Sequence, residues 1–278
     1  MQIRSAAKWI AAAAGILVGA VIVGFTLKDT TYIEAKLEQI KGARQSVTAV
    51  EKTTAKTQKI KNAEIVKETP LPESSCISDF AFTGQMPELP TGCEITSLTM
   101  ALNYGYSADK MAMALEYLPT VGWTNTYYGD NETLYGNDIY NYFIGNPQSE
   151  TDGLSCGAGA IVTAADGYLA DNGNAMKAED ETGSEPEQLY RFVSEGTPVV
   201  VWGTIGMEER QIMESWNTED GREASWAMND HCVVLIGYSA DSVTVADPIE
   251  GIVSYDRAQF ESAFRSRGNQ CVILKNVQ

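Results

Sequence analysis

Leu89-Pro90-Thr91-Gly92-Cys93-Glu94-Ile95-Thr96-Ser97-Leu98 is the stretch on which the reading of this chain turns. It reads as the start of a buried helix with a thiol in its first turn. Pro90 breaks whatever precedes it. Thr91 is a favoured N-cap and Glu94 stands three residues later, the pattern of a capping box. Ile95, Leu98 and Leu102 fall on one face at helical spacing. With Thr91 as the cap, Cys93 is the second helical residue. Its sulfur then sits near unpaired backbone N–H groups and the positive end of the helix dipole, which favours thiolate over thiol. Gly92 leaves room for a substrate beside the sulfur. A thiolate needs a partner that shuttles protons, and the chain has a single histidine, His231. The expectation is a fold that brings His231 to Cys93.

Working outward, Thr91–Tyr104 is the cysteine helix, ended near Gly105. Lys110–Leu118 is a second helical run, stopped by Pro119. Residues 123–153 are rich in Tyr, Asn, Asp and Gly and have no clear period, which predicts a functional loop region with short elements inside. Gly159–Leu169 reads as a helix. Glu185–Glu195 is amphipathic and stops at Gly196. Pro198–Trp202 (PVVVW) is a buried strand, His231–Tyr238 (HCVVLIGY) a second and Ser242–Ala246 (SVTVA) a third. Gln259–Phe264 is a short helix and Gln270–Leu274 (QCVIL) a closing strand. Helices first and strands last predict an α+β domain, with the cysteine helix packed on an antiparallel sheet.

The two strands around Ser239-Ala240-Asp241 form a hairpin, so the start of the first lies beside the end of the second. That places His231 near Asp247, whose carboxylate can hold the imidazole in one tautomer and stabilise its protonated form. Pro248 ends the strand. Asp230 competes for this role, but strand alternation turns it to the other face. An oxyanion stabiliser is also needed: the backbone N–H of Cys93 and the side-chain amide of Gln85, eight residues upstream, are the candidates. Each residue alone has a plainer reading. A cysteine on a helix is usually a small core residue, a single histidine is usually structural, and Asp before Pro is usually a turn. The set gains weight because only one histidine exists and its own hairpin supplies a carboxylate.

Charge and composition bound the rest. Residues 1–75 hold 11 Lys/Arg against 7 Asp/Glu, a net of +4, and residues 76–278 hold 9 against 30, a net of −21. So acidic a domain repels nucleic acid. It suits a soluble exported protein, or else a cationic substrate. The five cysteines, Cys76, Cys93, Cys156, Cys232 and Cys271, include no C-x-x-C pair, which with one histidine disfavours zinc. Cys156 opens another helical run but has no second histidine to activate it, and Cys232 and Cys271 read as core. Trp202, Trp216 and Trp226 read as core or as groove walls. Asp130 and Asp138 do not have EF-hand spacing. No cofactor or metal is expected.

Three segments are predicted. Residues 1–28 are a short cytoplasmic stub and an anchor: Trp9–Leu27 is an uncharged apolar run of 19 residues, long enough to cross a bilayer. Arg4 and Lys8 on its N-terminal flank put the remainder of the chain outside the cytoplasm. Residues 29–75 are a spacer, partly helical and partly disordered, closed by Pro70 and Pro72. Residues 76–278 are the folded domain.

The run GQMPELPTGCEITSLTMALNYGY resembles the C39-like cysteine peptidases of Gram-positive bacteria, a papain-like family. SCGAGAIVTAA, TGSEPEQLYRFVSEGTPVVVW, HCVVLIGY and VADPIEG extend the likeness from about Phe82 to Leu274. The resemblance implies a papain-like α+β fold, with Cys93 as nucleophile, His231 as general base, Asp247 as orienter and Gln85 as oxyanion residue. It also implies a peptide or protein substrate. The best-known relatives are domains of bacteriocin exporters that face the cytoplasm and cut leader peptides. Here no transporter is attached and the charge asymmetry places the domain outside, so that substrate is not carried over. Two alternatives stay open: a cell-wall amidase or transpeptidase on the same triad, or a catalytically silent binding module on the same fold.

Overall fold

The structure, a computed structural model, describes residues 70–276 apart from 123–125, 130–131 and 174. The apolar run Trp9–Leu27, the spacer as far as residue 69, Trp123 and Asp130 lie outside the described residues. No helix among the described residues is long and apolar enough to cross a membrane.

In chain order come β1 (Ser75–Cys76), α1 (Cys93–Asn103) and α2 (Lys110–Ala112), the last continued by a π-helical turn over Met113–Tyr117. Four two-residue strands follow: β2 (Thr120–Val121), β3 (Tyr127–Tyr128), β4 (Leu134–Tyr135) and β5 (Phe143–Ile144). Next are α3 (Ala158–Asp171), β6 (Met176–Asp180), α4 (Pro186–Ser194) and β7 (Val199–Thr204). The chain closes with β8 (Ile212–Asn217), β9 (Glu223–Ala227), β10 (Asp230–Tyr238), β11 (Ser242–Asp247), β12 (Gly251–Asp256), α5 (Arg257–Ser266) and β13 (Cys271–Asn276).

The main sheet has seven strands in the order β12-β11-β10-β7-β13-β6, with β1 pairing the end of β10 that β7 does not reach. Every pairing in it is antiparallel. β7 and β10 are its centre because their side chains are apolar on both faces: all six residues of β7 are buried. On one face the Trp202 indole N–H donates to the Cys156 carbonyl at 2.7 Å. On the other, a Cβ at the next residue, Gly203, would meet Met207 and Ala263 of α5. α1 lies on β10 and β7, and Ser97 Oγ donates to the Cys232 carbonyl at 3.0 Å. Ile95, Leu98, Met100 and Leu102 are fully buried there, each contributing about 1.5–3 kcal/mol. Asp256 caps α5 by accepting from the Gln259 N–H at 2.9 Å.

The α+β architecture agrees with the order read from the sequence, and four longer strands add to it. β6 pairs with β13 at the sheet edge. β12 pairs with β11 along six residues. β8 and β9 form a hairpin in a separate four-stranded sheet, β3-β4-β8-β9. Four residues of β8 in succession are exposed, so no apolar period marks it. The folded unit also starts ahead of Cys76. Leu71 packs on the core and the Tyr238 hydroxyl donates to the Pro72 carbonyl at 3.0 Å. Pro70 and Pro72 therefore lead into the domain instead of closing a spacer.

Candidate active site

Cys93 is the first residue of α1, and Gly92 is the N-cap, with no side-chain capping bond. The Thr91–Glu94 capping box does not form. Thr91 Oγ1 stands 3.2–3.4 Å from the carbonyls of Asn146, Pro147 and Ser149, tying the helix start to the following loop. Glu94 turns inward, with Oε1 accepting from Ser155 Oγ at 2.6 Å and from the Cys156 N–H at 3.1 Å. Gly92 is needed for packing and not for substrate room: a Cβ there would stand 2.9 Å from Leu89 Cβ and 3.3 Å from Pro147 Cβ. As the first helical residue, Cys93 carries an N–H with no intrahelical acceptor.

His231 opens the apolar run of β10, and its Nε2 lies 2.8 Å from Asp247 Oδ1. The strand register explains the meeting. Val234 pairs with Ala246, so Asp247 falls opposite Val233, on the face His231 shares. Asp247 Oδ1 also accepts from the Ile249 N–H at 2.8 Å and the Glu250 N–H at 3.3 Å, and Oδ2 from the Tyr255 hydroxyl at 3.3 Å. Burial pushes this carboxyl up, but the bonds from His231 and the two N–H groups outweigh it and hold it below the ordinary aspartate value. Asp230 is engaged elsewhere. Its carboxylate accepts from Arg210 Nε at 2.8 Å and from Arg267 Nη1 at 2.7 Å. With Asp247 on Nε2, Nδ1 is the imidazole nitrogen left for the sulfur.

Gln85 is held from both sides. Its N–H donates to the Pro248 carbonyl at 2.9 Å, beside Asp247, and its Nε2 donates to the Pro90 carbonyl at 2.8 Å. A side-chain amide has two N–H bonds, so one remains for a ligand. Gln85, Cys93 and His231 line one cavity of about 290 Å³, with Thr91, Glu150, Gly153, Trp226, Met228 and Ile249 among its walls. The four sequence-predicted site residues are thus gathered, three on the cavity and Asp247 one hydrogen bond behind it.

The expected bias toward thiolate is reversed by burial. Burial pushes the Cys93 thiol well above its ordinary value, and the Glu94 carboxylate adds to that. The helix start does not outweigh loss of water around the sulfur. Of the other candidates, Cys156, Cys232 and Cys271 are buried free thiols, and burial pushes each of them up. Trp202 is core, Trp216 is buried in a second cluster, and Trp226 lines the cavity. Asp138 pairs with Arg222 at 2.6 Å, and no metal-binding cluster occurs among the described residues.

Two features escape the sequence reading: the inward Glu94 and the buried Arg210–Asp230–Arg267 group. The available signals are slight. Glu94 is the only charge in CEITSLTMALN, and the acidic domain holds only nine Lys/Arg to spare.

Residues 77–272 match the profile of the Peptidase_C39 like family. The uncharacterized protein YvpB of Bacillus subtilis (strain 168) is 31% identical over 192 residues, covering 68% of this chain and 71% of YvpB. A crystal structure described as that of a C39-like peptidase from Bacillus anthracis is 34% identical. It superposes with a TM-score of 0.63 over 74% of this chain and 98% of that one. The α+β fold and the profile, which spans nearly all of the described residues, agree: the chain belongs to the Peptidase_C39 like family.

Proposed function

We propose that this protein is a cysteine peptidase that hydrolyses peptide bonds, held at the outer face of a membrane by its N-terminal segment. The observation that carries the reading is the shared cavity of Cys93, His231 and Gln85, with His231 bonded to Asp247. The Cys93 sulfur attacks the scissile carbonyl as His231 Nδ1 takes the thiol proton. Because burial keeps the resting sulfur protonated, His231 acts as a base in that step and not only as a standing counter-ion. The Cys93 N–H and the second Gln85 amide N–H stabilise the oxyanion. His231 then gives its proton to the leaving amine and afterwards activates the water that opens the thioester. Asp247 holds the imidazole with Nε2 protonated throughout. No cofactor enters any step. Ile205, Trp226, Met228 and Ile249 offer an apolar wall to a substrate side chain. The membrane part rests on the uncharged run Trp9–Leu27 and on Arg4 and Lys8 before it.

The test is turnover by the full chain of casein-derived peptides beside cell-wall muropeptides. Peptide cleavage lost in Cys93→Ala and in His231→Ala supports the reading. Cleavage of muropeptides alone replaces it with a cell-wall amidase or transpeptidase. No turnover of either by the folded wild type replaces it with a binding module. Location is read separately: an anchored protein resists extraction by alkaline carbonate and is digested by protease added to intact cells.

A further inference from the structure

Behind the cavity, the residue beside each of the two reacting groups carries a buried carboxyl side chain. Glu94 follows Cys93 in sequence, and Asp230 precedes His231. Glu94 is 2% exposed. Its Oε1 accepts from Ser155 Oγ and the Cys156 N–H, while Oε2 is buried without a protein partner. Arg267 is equally enclosed, its side chain 5% exposed. Its Nη1 donates to Asp230 Oδ2 at 2.7 Å, while its Nε, like Gln85 Oε1, is also buried with no protein partner. Arg267 and Cys156 line one cavity, and the Cys156 N–H is the group bonded to Glu94. Burial pushes the Glu94 carboxyl above its ordinary value, and two guanidinium groups, Arg210 and Arg267, stand on this side of the cavity for the two acidic side chains, Glu94 and Asp230. A buried carboxylate with no counter-charge is strongly disfavoured, so Glu94 beside the sulfur calls for Arg267.

We propose that Glu94 is a positioning residue that fixes the place and the charge of the Cys93 sulfur, with Arg267 as its counter-charge. Through Oε1 it ties the start of α1 to the Ser155–Cys156 wall. Through its charge it keeps the sulfur protonated until His231 draws the proton away. Arg267 works in the opposite sense, and it also holds Asp230 on the strand that carries His231. The titratable and charged groups facing this pair are Cys93 on α1, Cys156 before α3, His231, Cys232 and Asp230 on β10, Asp247 on β11, and Arg210 before β8. The inference rests on the peptidase reading for its purpose, though its test does not.

The test is the pH dependence of Cys93 alkylation by iodoacetamide in the full chain, followed at Cys93 by peptide mass spectrometry. Exposed Cys76 serves as the internal reference. Glu94→Gln keeps an acceptor at Oε1 and removes the charge. The alkylation curve moves to lower pH, and the rate below the midpoint rises about threefold or more, since one pKa unit is about tenfold in thiolate. Arg267→Gln moves the curve the other way by a similar factor. A purely structural role lowers thermal stability in both variants and moves neither curve, and unmoved curves, or curves moved the same way, overturn the proposal. If either variant fails to fold, the wild type decides. The ¹³C carboxyl resonance of Glu94 shifts as Cys93 ionises, and that shift is absent in Cys93→Ala; a resonance indifferent to Cys93 overturns the proposal. Moved curves without peptide cleavage leave this inference standing and remove the peptidase, while cleavage with unmoved curves does the reverse.

Discussion

Asp247 concentrates its work in one oxygen: Oδ1 meets His231 Nε2 and the N–H groups of Ile249 and Glu250. Replacing it by Asn keeps the shape and loses the charge that holds the imidazole tautomer. Asp247→Asn therefore lowers kcat/KM for peptide cleavage by about 10²-fold or more. Tyr255→Phe removes only a 3.3 Å bond to Oδ2 and leaves kcat/KM within about threefold. The same carboxyl carries a pH signature. Its folded value lies below the unfolded one, so its stabilisation is complete above an unfolded aspartate value of about 3.9 and is lost as pH falls through the lower folded value. Thermal unfolding between pH 2 and 5 shows that acid loss in the wild type and a shallower one in Asp247→Asn; equal slopes count against it. The meeting of His231 with Asp247 is legible in the sequence because there is one histidine to start from and one hairpin around it, whereas Gln85 is a candidate only by its place upstream of Cys93 and by the family resemblance. The inward turn of Glu94 is not legible. A carboxylate three residues after Thr91 fits an exposed first turn as well as a buried one, and only the tertiary contact with Ser155 decides between them.

At the scale of elements, the start of α1 is held by the loop before α3 and not by its own cap. Thr91 reaches the carbonyls of Asn146, Pro147 and Ser149, and Gly153 packs against the same hydroxyl. A Cβ at Gly153 would lie 2.1 Å from Thr91 Oγ1 and 2.7 Å from the Asn146 carbonyl. The backbone carbonyl cannot swing aside as a long side chain can, so the loop has to move. Gly153→Ala therefore destabilises by about 1–3 kcal/mol, read as a lower urea midpoint with an unchanged m-value. Because Gly153 also lines the cavity, KM rises for peptides. A variant of wild-type stability and KM contradicts this account of the loop. This loop contact is long-range and leaves no mark in the sequence, whereas β7, β10, β11 and β13 announce themselves as apolar runs. β8 and β9 lie between those cases. Ile212, Met213, Glu214 and Ser215 are all exposed, so pairing in the second sheet, and not burial, makes the strand.

For the molecule as a whole, the sharpest change along the chain is from a basic N-terminal quarter to an acidic domain. Where that domain begins as a folded object is a separate matter from where its charge begins. Pro70–Gln278 forms one compact unit, and its first residues are structural: Leu71 packs on the core, the Pro72 carbonyl accepts from Tyr238, and β1 pairs with Gly237 and Tyr238. Sequence alone set the boundary at Cys76, because two prolines among polar residues read as the end of a tether and a two-residue strand has no period. A chain cut to begin at Pro70 accordingly keeps the peptide cleavage proposed for the full chain within about twofold and shows the same main unfolding transition. A chain cut to begin at Ile77 loses the partial burial of Leu71 and the Tyr238 bond, together about 1–3 kcal/mol. In a domain of this size that lowers Tm by roughly 2–10 °C. The loss falls at the far end of β10 from His231, so below the new transition the shorter chain still cleaves peptide with a KM close to that of the longer one. Equal Tm values for the two truncations place the boundary at Cys76 after all, and a raised KM in the shorter one means that β1 reaches the site through β10.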